Sequence, residues 1–193
     1  MQIILASASP QRKTLLEGLG IPFQVIVPSV DESLHPERDP VRRAETLARL
    51  KAESVHELHP HAIVIGCDTL VVASDGTLLE KPADETEARV MLQKHSGNVS
   101  FVHSALAVIG EDGVTHEGIS TSSVLFKKLT KEEMDWWTES GLWRDRSGGF
   151  QIDGPGQLMI EGIEGDWTGV VGLPVFLLGQ LMKRATGVMW NCT

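Results

Sequence analysis

Short continuous apolar runs alternate along the chain with segments whose apolar positions recur every three or four residues. Ile3 to Ala6 is such a run and predicts a buried strand. Ser9-Pro10 follows as an N-cap and a first-turn proline. Leu15, Leu16 and Leu19 then predict a helix with one apolar face, which Gly18 and Gly20 help to end. Phe23 to Val27 predicts a second strand, and Pro28 with the polar stretch from Asp31 to Asp39 predicts a loop. Beyond Val41, the positions Ala44, Leu47, Ala48, Ala52 and Val55 share one helical face, enough for about four turns. Ala62 to Cys67 is rich in β-branched residues and unbroken, as in a strand buried on both faces. Val71 to Ala73, Asp75-Gly76 and Leu78-Leu79 form a hairpin pattern.

Further on, Asp84 with Glu87 makes a capping-box signature for a helix carrying Ala88, Met91 and Leu92. Val99 to Ile109 and Val114 to Phe126 predict two long strands around the Glu111-Asp112-Gly113 turn. Thr130 with Glu133 caps a short helix holding Trp136 and Trp137. The segment from Gly141 to Gly156 is glycine-rich and irregular, a pattern typical of a working loop. A strand near Leu158 to Ile163 and a helix after Pro174 complete the chain. No repeat, low-complexity segment or linker interrupts this order. Residues 1–193 therefore read as a single α/β domain built on a mixed sheet.

Charge narrows the set of partners. Seventeen Lys and Arg against 26 Asp and Glu give a formal net charge of −9, which repels a nucleic-acid backbone. A small phosphate ligand stays compatible, because a few cations in one cleft can outweigh the global field locally. Cys67 lies in an apolar run and Cys192 in the C-terminal tail; two cysteines make neither a disulfide framework nor a metal site. The N-terminus lacks a signal-peptide pattern. The longest apolar stretch, VVGLPVFLLGQLM, is broken by Gly and Pro and is too short for a bilayer. The expectation is a cytoplasmic protein with no membrane or nucleic-acid partner.

Several residues could carry chemistry, and each allows two readings. Ser7, Ser9 and Arg12 at a strand-to-helix turn suit an anion, since helix N-termini offer free N–H groups and Arg a two-pronged fork. The same residues also suit a plain helix cap beside a solvated arginine. Asp68 ends the apolar run, at the strand end where ligand groups collect in open α/β sheets. There it could hold a divalent cation or accept a proton from water. Alternatively it could turn the chain onto the Thr69 amide. Taken singly, Lys51 and Lys81 read as solvated lysines before ligands, and Glu32 as a loop carboxylate. His56, His59 and His61 straddle Pro60 without metal-ligand spacing. No P-loop, GxGxxG or Ser-His-Asp arrangement is present. Trp136, Trp137, Trp143 and Trp167 read first as packing residues.

Taken in order, LASASPQRKTLLEGLG, PSVDES, LARLKA, VIGCDTLV, LLEKPADETEARVML and GVVGLPVFLLGQLM resemble the Maf family of nucleotide pyrophosphatases. The resemblance covers Ile3 to about Met182. It implies a twisted mixed sheet in two lobes with a central cleft, similar to that of the inosine-triphosphate pyrophosphatases. It also implies hydrolysis of a nucleoside triphosphate to monophosphate and pyrophosphate with Mg²⁺ or Mn²⁺, in removal of non-standard nucleotides or in cell-division arrest. By position, Ser7, Ser9, Arg12, Lys51 and Lys81 match the phosphate-binding residues. Asp68 matches the proton acceptor, and Glu32 with Asp68 the metal ligands. A homodimer fits the class, although no apolar stripe in this sequence requires one.

Three positions bear on the base. Gln11 stands where members similar to dTTP/UTP hydrolases carry Arg and those similar to 7-methyl-GTP hydrolases carry Trp. Thr69 matches the dTTP/UTP type. Asp153 stands where the first type has Gln and the second Glu. A carboxylate only accepts hydrogen bonds, which suits guanine donors, whereas an amide mirrors the edge of thymine or uracil. Asp153 facing the base would favour a purine; facing solvent or a lysine, it leaves Thr69 as the guide. Glu80 replaces the usual Gly before Lys81-Pro82 and would weaken the pull of Lys81 on phosphate unless it points away. The expected substrate is dTTP/UTP or a modified nucleotide. The alternatives are 7-methyl-GTP as preferred substrate and a non-catalytic nucleotide-sensing regulator of cell division.

Overall fold

The computed structural model describes residues 1–32 and 36–187; Cys192 lies outside them. The elements run β1 (Ile3–Ala6), α1 (Pro10–Glu17), β2 (Gln24–Ile26), α2 (Pro40–His56), β3 (Ile63–Val72), β4 (Leu78–Leu79) and α3 (Glu85–His95). They continue with β5 (Val99–Ile109), β6 (Thr115–Phe126), α4 (Lys131–Ser140), β7 (Ile160–Glu164), α5 (Trp167–Val171) and α6 (Val175–Thr186). Two 3-10 turns, Ser147–Gly149 and Pro155–Met159, lie between α4 and β7. Among the described residues this is a mixed α/β fold on one seven-stranded sheet of order β2-β1-β3-β5-β6-β7, with β4 paired to β3. β1 pairs parallel to β2 and β3; every other pairing is antiparallel.

Side-chain alternation along the strands decides what each face buries. On one face, Ile4, Val64, Ala105, Ala107 and Ile109 meet the apolar side of α2, namely Ala44, Ala48, Ala52 and Val55. On the other, Ile3, Leu5, Ile63, Ile65, Leu106 and Val108 meet Leu16 of α1 and Leu178, Leu181 and Met182 of α6. Farther along β3, β5 and β6, Val71, Val102, Val124 and Phe126 pack against Met91, Leu92, Trp137 and Phe150. Register puts Thr69 opposite Ser104, between the Cys67–Leu106 and Val71–Val102 pairs. A belt of hydroxyls therefore separates two apolar clusters on that face.

α2 reaches unusually close to the sheet. A Cβ on Gly66 would sit 2.2 Å from the Ala48 carbonyl oxygen and 2.9 Å from Ala52 Cβ. Only glycine admits this approach, which brings the next turn of α2 over the middle of β3.

Several expectations need correction. β3 does not stop at Cys67 but runs to Val72, so Asp68 and Thr69 are mid-strand residues in a continuous ladder with Ala105 and Ser104. What ends beside Asp68 is β1, whose last parallel partner is Gly66. A turn onto the Thr69 amide is ruled out. α5 and both 3-10 turns carry no periodic signal and were not expected, and β7 begins two residues after Leu158, which is itself exposed. Trp137 and Trp143 are core residues, but Trp136 and Trp167 are 40% and 42% exposed. Thr130 and Glu133 form a full capping box, whereas Glu87 reaches the Ala83 amide, one residue before the Asp84 cap.

Candidate active site

The end of β1 opens the site. Ser9 caps α1, its hydroxyl accepting from the Arg12 amide and donating to Gln11 Oε1 at 3.1 Å. Ser7 Oγ accepts from the Ser9 amide and from Arg12 Nη1, each at 3.2 Å. The Arg12 guanidinium also donates to the carbonyls of Cys67 and Gly172, both at 2.9 Å, and to Thr69 Oγ1 at 3.2 Å. Four of its five N–H groups are thereby engaged among the described residues. Arg12 stitches the sheet to the start of α1 and keeps one N–H of Nη2 for a further acceptor. Thr69 is fixed in turn, sharing a 2.8 Å hydrogen bond with Ser104, so it is a rigid neighbour of Asp68.

Asp68 projects from the sheet face covered by α2, and the Gly66 contact places Lys51 above it. Lys51 Nζ donates to Asp68 Oδ1 at 2.6 Å and pairs with Glu32 Oε1 at 2.9 Å. Lys51 is 6% exposed and Asp68 4%. Burial raises the proton affinity of the Glu32 carboxyl, but the charge and hydrogen bond of Lys51 oppose this, helped by Lys81 and Arg12. The net result is a carboxyl held below its ordinary range. Glu32 thus lies in the field of all three expected cations. The second Asp68 oxygen, Oδ2, is buried and accepts no hydrogen bond among the described residues. An unmatched carboxylate oxygen there is costly unless a donor, water or cation meets it.

Lys81 lies just past β4, is exposed, and pairs with no acid among the described residues. Glu80 does not compete for it, because its Oε1 takes Arg43 Nη2 at 2.7 Å. The glycine-rich loop closes over this region. Ser147 Oγ donates to the Thr69 carbonyl at 3.1 Å, and the Gly148 amide to the Glu80 carbonyl at 3.0 Å. Trp137 Nε1 holds the Gly149 carbonyl at 2.7 Å and a His95 ring nitrogen holds that of Gly148 at 2.8 Å. Asp153 pairs with Arg146 at 3.3 Å, so its carboxylate faces a cation.

Ser7, Ser9, Gln11, Arg12 and Thr69 therefore form one hydrogen-bonded set, and Glu32, Lys51 and Asp68 a second on the α2 side of the sheet, the two meeting through the adjacent β3 residues Cys67, Asp68 and Thr69. The glycine-rich loop ties the backbone next to Lys81 to that of Thr69. The sequence reading gave no role to Arg43, Arg146, Gly172 or His95; Gly172 lies within GVVGLPVFLLGQLM and Arg146 within the glycine-rich segment, while Arg43 and His95 stand in no pattern of their own. His56, His59 and His61 assemble no metal site; among the described residues no group of three His, Cys, Asp or Glu side chains does. Glu32 and Asp68 nonetheless fit Mg²⁺ or Mn²⁺. Such an ion uses one or two carboxylates and takes its other ligands from phosphate and water, and Asp68 Oδ2 offers the unmatched oxygen.

A family model described as Maf-like protein matches residues 2–185. The chain is 42% identical over 184 residues to a dTTP/UTP pyrophosphatase of Deinococcus radiodurans, covering 95% of this chain and 93% of the relative. It is 42% identical over 185 residues to one of Symbiobacterium thermophilum, with the same coverages. The chain belongs to the Maf-like family. Among solved structures, the Staphylococcus aureus Ham1 protein superposes with a TM-score of 0.47 and 17% identity, covering 65% of this chain and 72% of that one. No helix among the described residues is long and apolar enough to cross a membrane.

Proposed function

We propose that the protein hydrolyses a nucleoside triphosphate to the monophosphate and pyrophosphate, acting on dTTP and UTP in the cytoplasm. The observation that carries this reading is the buried Lys51 bridging Glu32 and Asp68 beside a free Asp68 Oδ2, in a chain 42% identical to proteins of that name. Lys51 occupies Oδ1, which leaves Oδ2 as the atom to accept a proton from the attacking water. That water adds to the α-phosphorus in line with departing pyrophosphate. Arg12, through its remaining N–H, and Lys81 supply positive charge to the phosphate oxygens, with Ser7 and Ser9 shaping the turn that receives them. Glu32 and Asp68 would hold Mg²⁺ or Mn²⁺, which supplies charge neutralisation and acidifies bound water.

Thr69 supports the pyrimidine preference. The case for 7-methyl-GTP rested on a free carboxylate at Asp153, and that carboxylate is on Arg146. The features that favoured a non-catalytic regulator, Gln11, Glu80 and Asp153, each have a partner of their own in Ser9, Arg43 and Arg146.

The test is pyrophosphate release from dTTP, UTP, 7-methyl-GTP and the other common triphosphates, with Mg²⁺ and with Mn²⁺, beside Asp68→Asn. The expected result is preference for dTTP and UTP and a loss of at least about a hundredfold in kcat in the folded variant. A variant that keeps a near-normal rate overturns the role of Asp68, and preference for 7-methyl-GTP overturns the pyrimidine reading.

A further inference from the structure

His95, at the last turn of α3, is buried to 0% exposure and takes no part in the chemistry just described. Its ring stacks on Phe126 at 4.4 Å between centroids and meets the edge of Phe150 at 5.3 Å. The Gly148 carbonyl can only accept, so Nε2 carries the proton and donates to it at 2.8 Å. Nδ1 in the neutral ring is then an acceptor and takes the Ser100 hydroxyl at 2.7 Å. Burial pushes the ring down to about 4, which keeps this arrangement neutral.

We propose that His95 is a positioning residue for Lys81, holding the glycine strap that spaces the lysine from Asp68. The strap is tied on the sheet side by Ser147 Oγ to the Thr69 carbonyl and by the Gly148 amide to the Glu80 carbonyl, while Trp137 Nε1 holds the Gly149 carbonyl from the α4 side. Thr69 adjoins Asp68 and Glu80 adjoins Lys81, so the strap joins the backbone of the proton acceptor to that of the phosphate cation. Gly148 has a positive φ of 75°, which glycine adopts without strain and a residue with a side chain would not. His95 fixes the carbonyl of the same residue whose amide holds Glu80. Lys81 itself is exposed and makes no ion pair within 4 Å among the described residues, though it lies in the field of Glu32, so its place depends chiefly on its backbone.

This inference rests on Lys81 as a phosphate ligand. His95→Phe keeps the ring contacts and removes both hydrogen bonds, while His95→Gln restores a donor near the Nε2 position. On an active-site-titrated basis, His95→Phe should raise KM for dTTP about tenfold, with kcat changed less than threefold, and His95→Gln should recover most of the loss. The Ki of inorganic pyrophosphate as product inhibitor should rise by a similar factor. Lys81→Ala should raise both constants, and His95→Phe should add nothing further in that background. Should His95→Phe not fold, Ser100→Ala runs through the same cycle with a smaller shift in the same direction. An unchanged KM in a folded variant, or additive effects with Lys81→Ala, overturns the positioning role and leaves Lys81 as a ligand. A neutral Lys81→Ala overturns the reading of Lys81, and this inference falls with it.

Discussion

A buried neutral histidine makes stability depend on pH with a definite sign. An unfolded chain takes up a proton at histidine near 6.5, whereas the His95 ring resists until about 4. Above 6.5 both states are neutral there and the contribution to stability is complete. As the pH falls from 6.5 toward 4, the unfolded chain binds a proton that the native ring refuses, and stability falls by about 1.4 kcal/mol per pH unit. His103 is also lowered, chiefly by burial, and contributes with the same sign. Urea unfolding at pH 7 and 4.5 should therefore lose about 3 kcal/mol more in the wild type than in His95→Phe. Equal losses in the two proteins would show that His95 does not carry the effect. Lys51 makes a second residue-scale case. Lys51→Met leaves Asp68 charged, buried and unmatched, which should cost about 3–5 kcal/mol in urea unfolding. Adding Asp68→Asn removes the stranded charge, so the double variant should be more stable than Lys51→Met alone.

Between elements, the decisive contact is α2 on β3 at Gly66. Gly66→Ala drives a methyl into the Ala48 carbonyl and forces α2 outward, taking Lys51 off Asp68. The expected cost is at least about 2 kcal/mol in urea unfolding, with a fall in kcat. Gly76→Ala is the control, since that site is open but has φ 83°; it should cost about 1 kcal/mol and leave turnover alone. If the two variants lose turnover equally, helix placement is not what sets the site. The same contact shows which elements were readable. α2 declares itself through its apolar period, and β5 and β6 through long runs around a glycine turn. β3 was cut short because the polar pair Asp68-Thr69 interrupts its apolar run, and a strand interior tolerates such a pair only when distant residues satisfy it. Here Lys51 lies 17 positions upstream of Asp68, and Arg12 lies 57 upstream of Thr69. α5 is five residues long and depends on the Asp166 cap and on Ser104 donating to the Gly169 carbonyl, so no local period marks it. The candidate site residues stand out in the sequence because they sit in motifs, whereas His95 and Arg43 gain meaning only from the partners that folding brings to them.

Across the whole molecule, the site draws on β1 and its turn, α2, β3, the segment after β4 and the strap before β7. A protein of net charge −9 places Arg12, Lys51 and Lys81 in the field of Glu32, with Asp68 paired to Lys51, so three cations face two carboxylates and leave a small local positive excess in a repelling surround. A nucleotide that engages those cations bridges segments otherwise joined through the sheet and the strap. Binding to the native state alone must stabilise all of them together. A dUTP analogue with a methylene bridge between the α- and β-phosphorus, at a hundred times its Kd with Mg²⁺, should add about 2.7 kcal/mol of stability. For a domain of this size that corresponds to a rise in Tm of about 5–10 °C. Hydrogen exchange should slow in step at residues 7–12, around Lys51 and Asp68, and at Lys81 and the strap, because one ligand closes all of these openings. Protection confined to the β1–α1 turn would mean that the phosphates stop at the helix cap, and Lys51, Asp68 and Lys81 would then lose their place in the site. Protection everywhere except at Lys81 and the strap would keep the proton acceptor and remove the clamp opposite it.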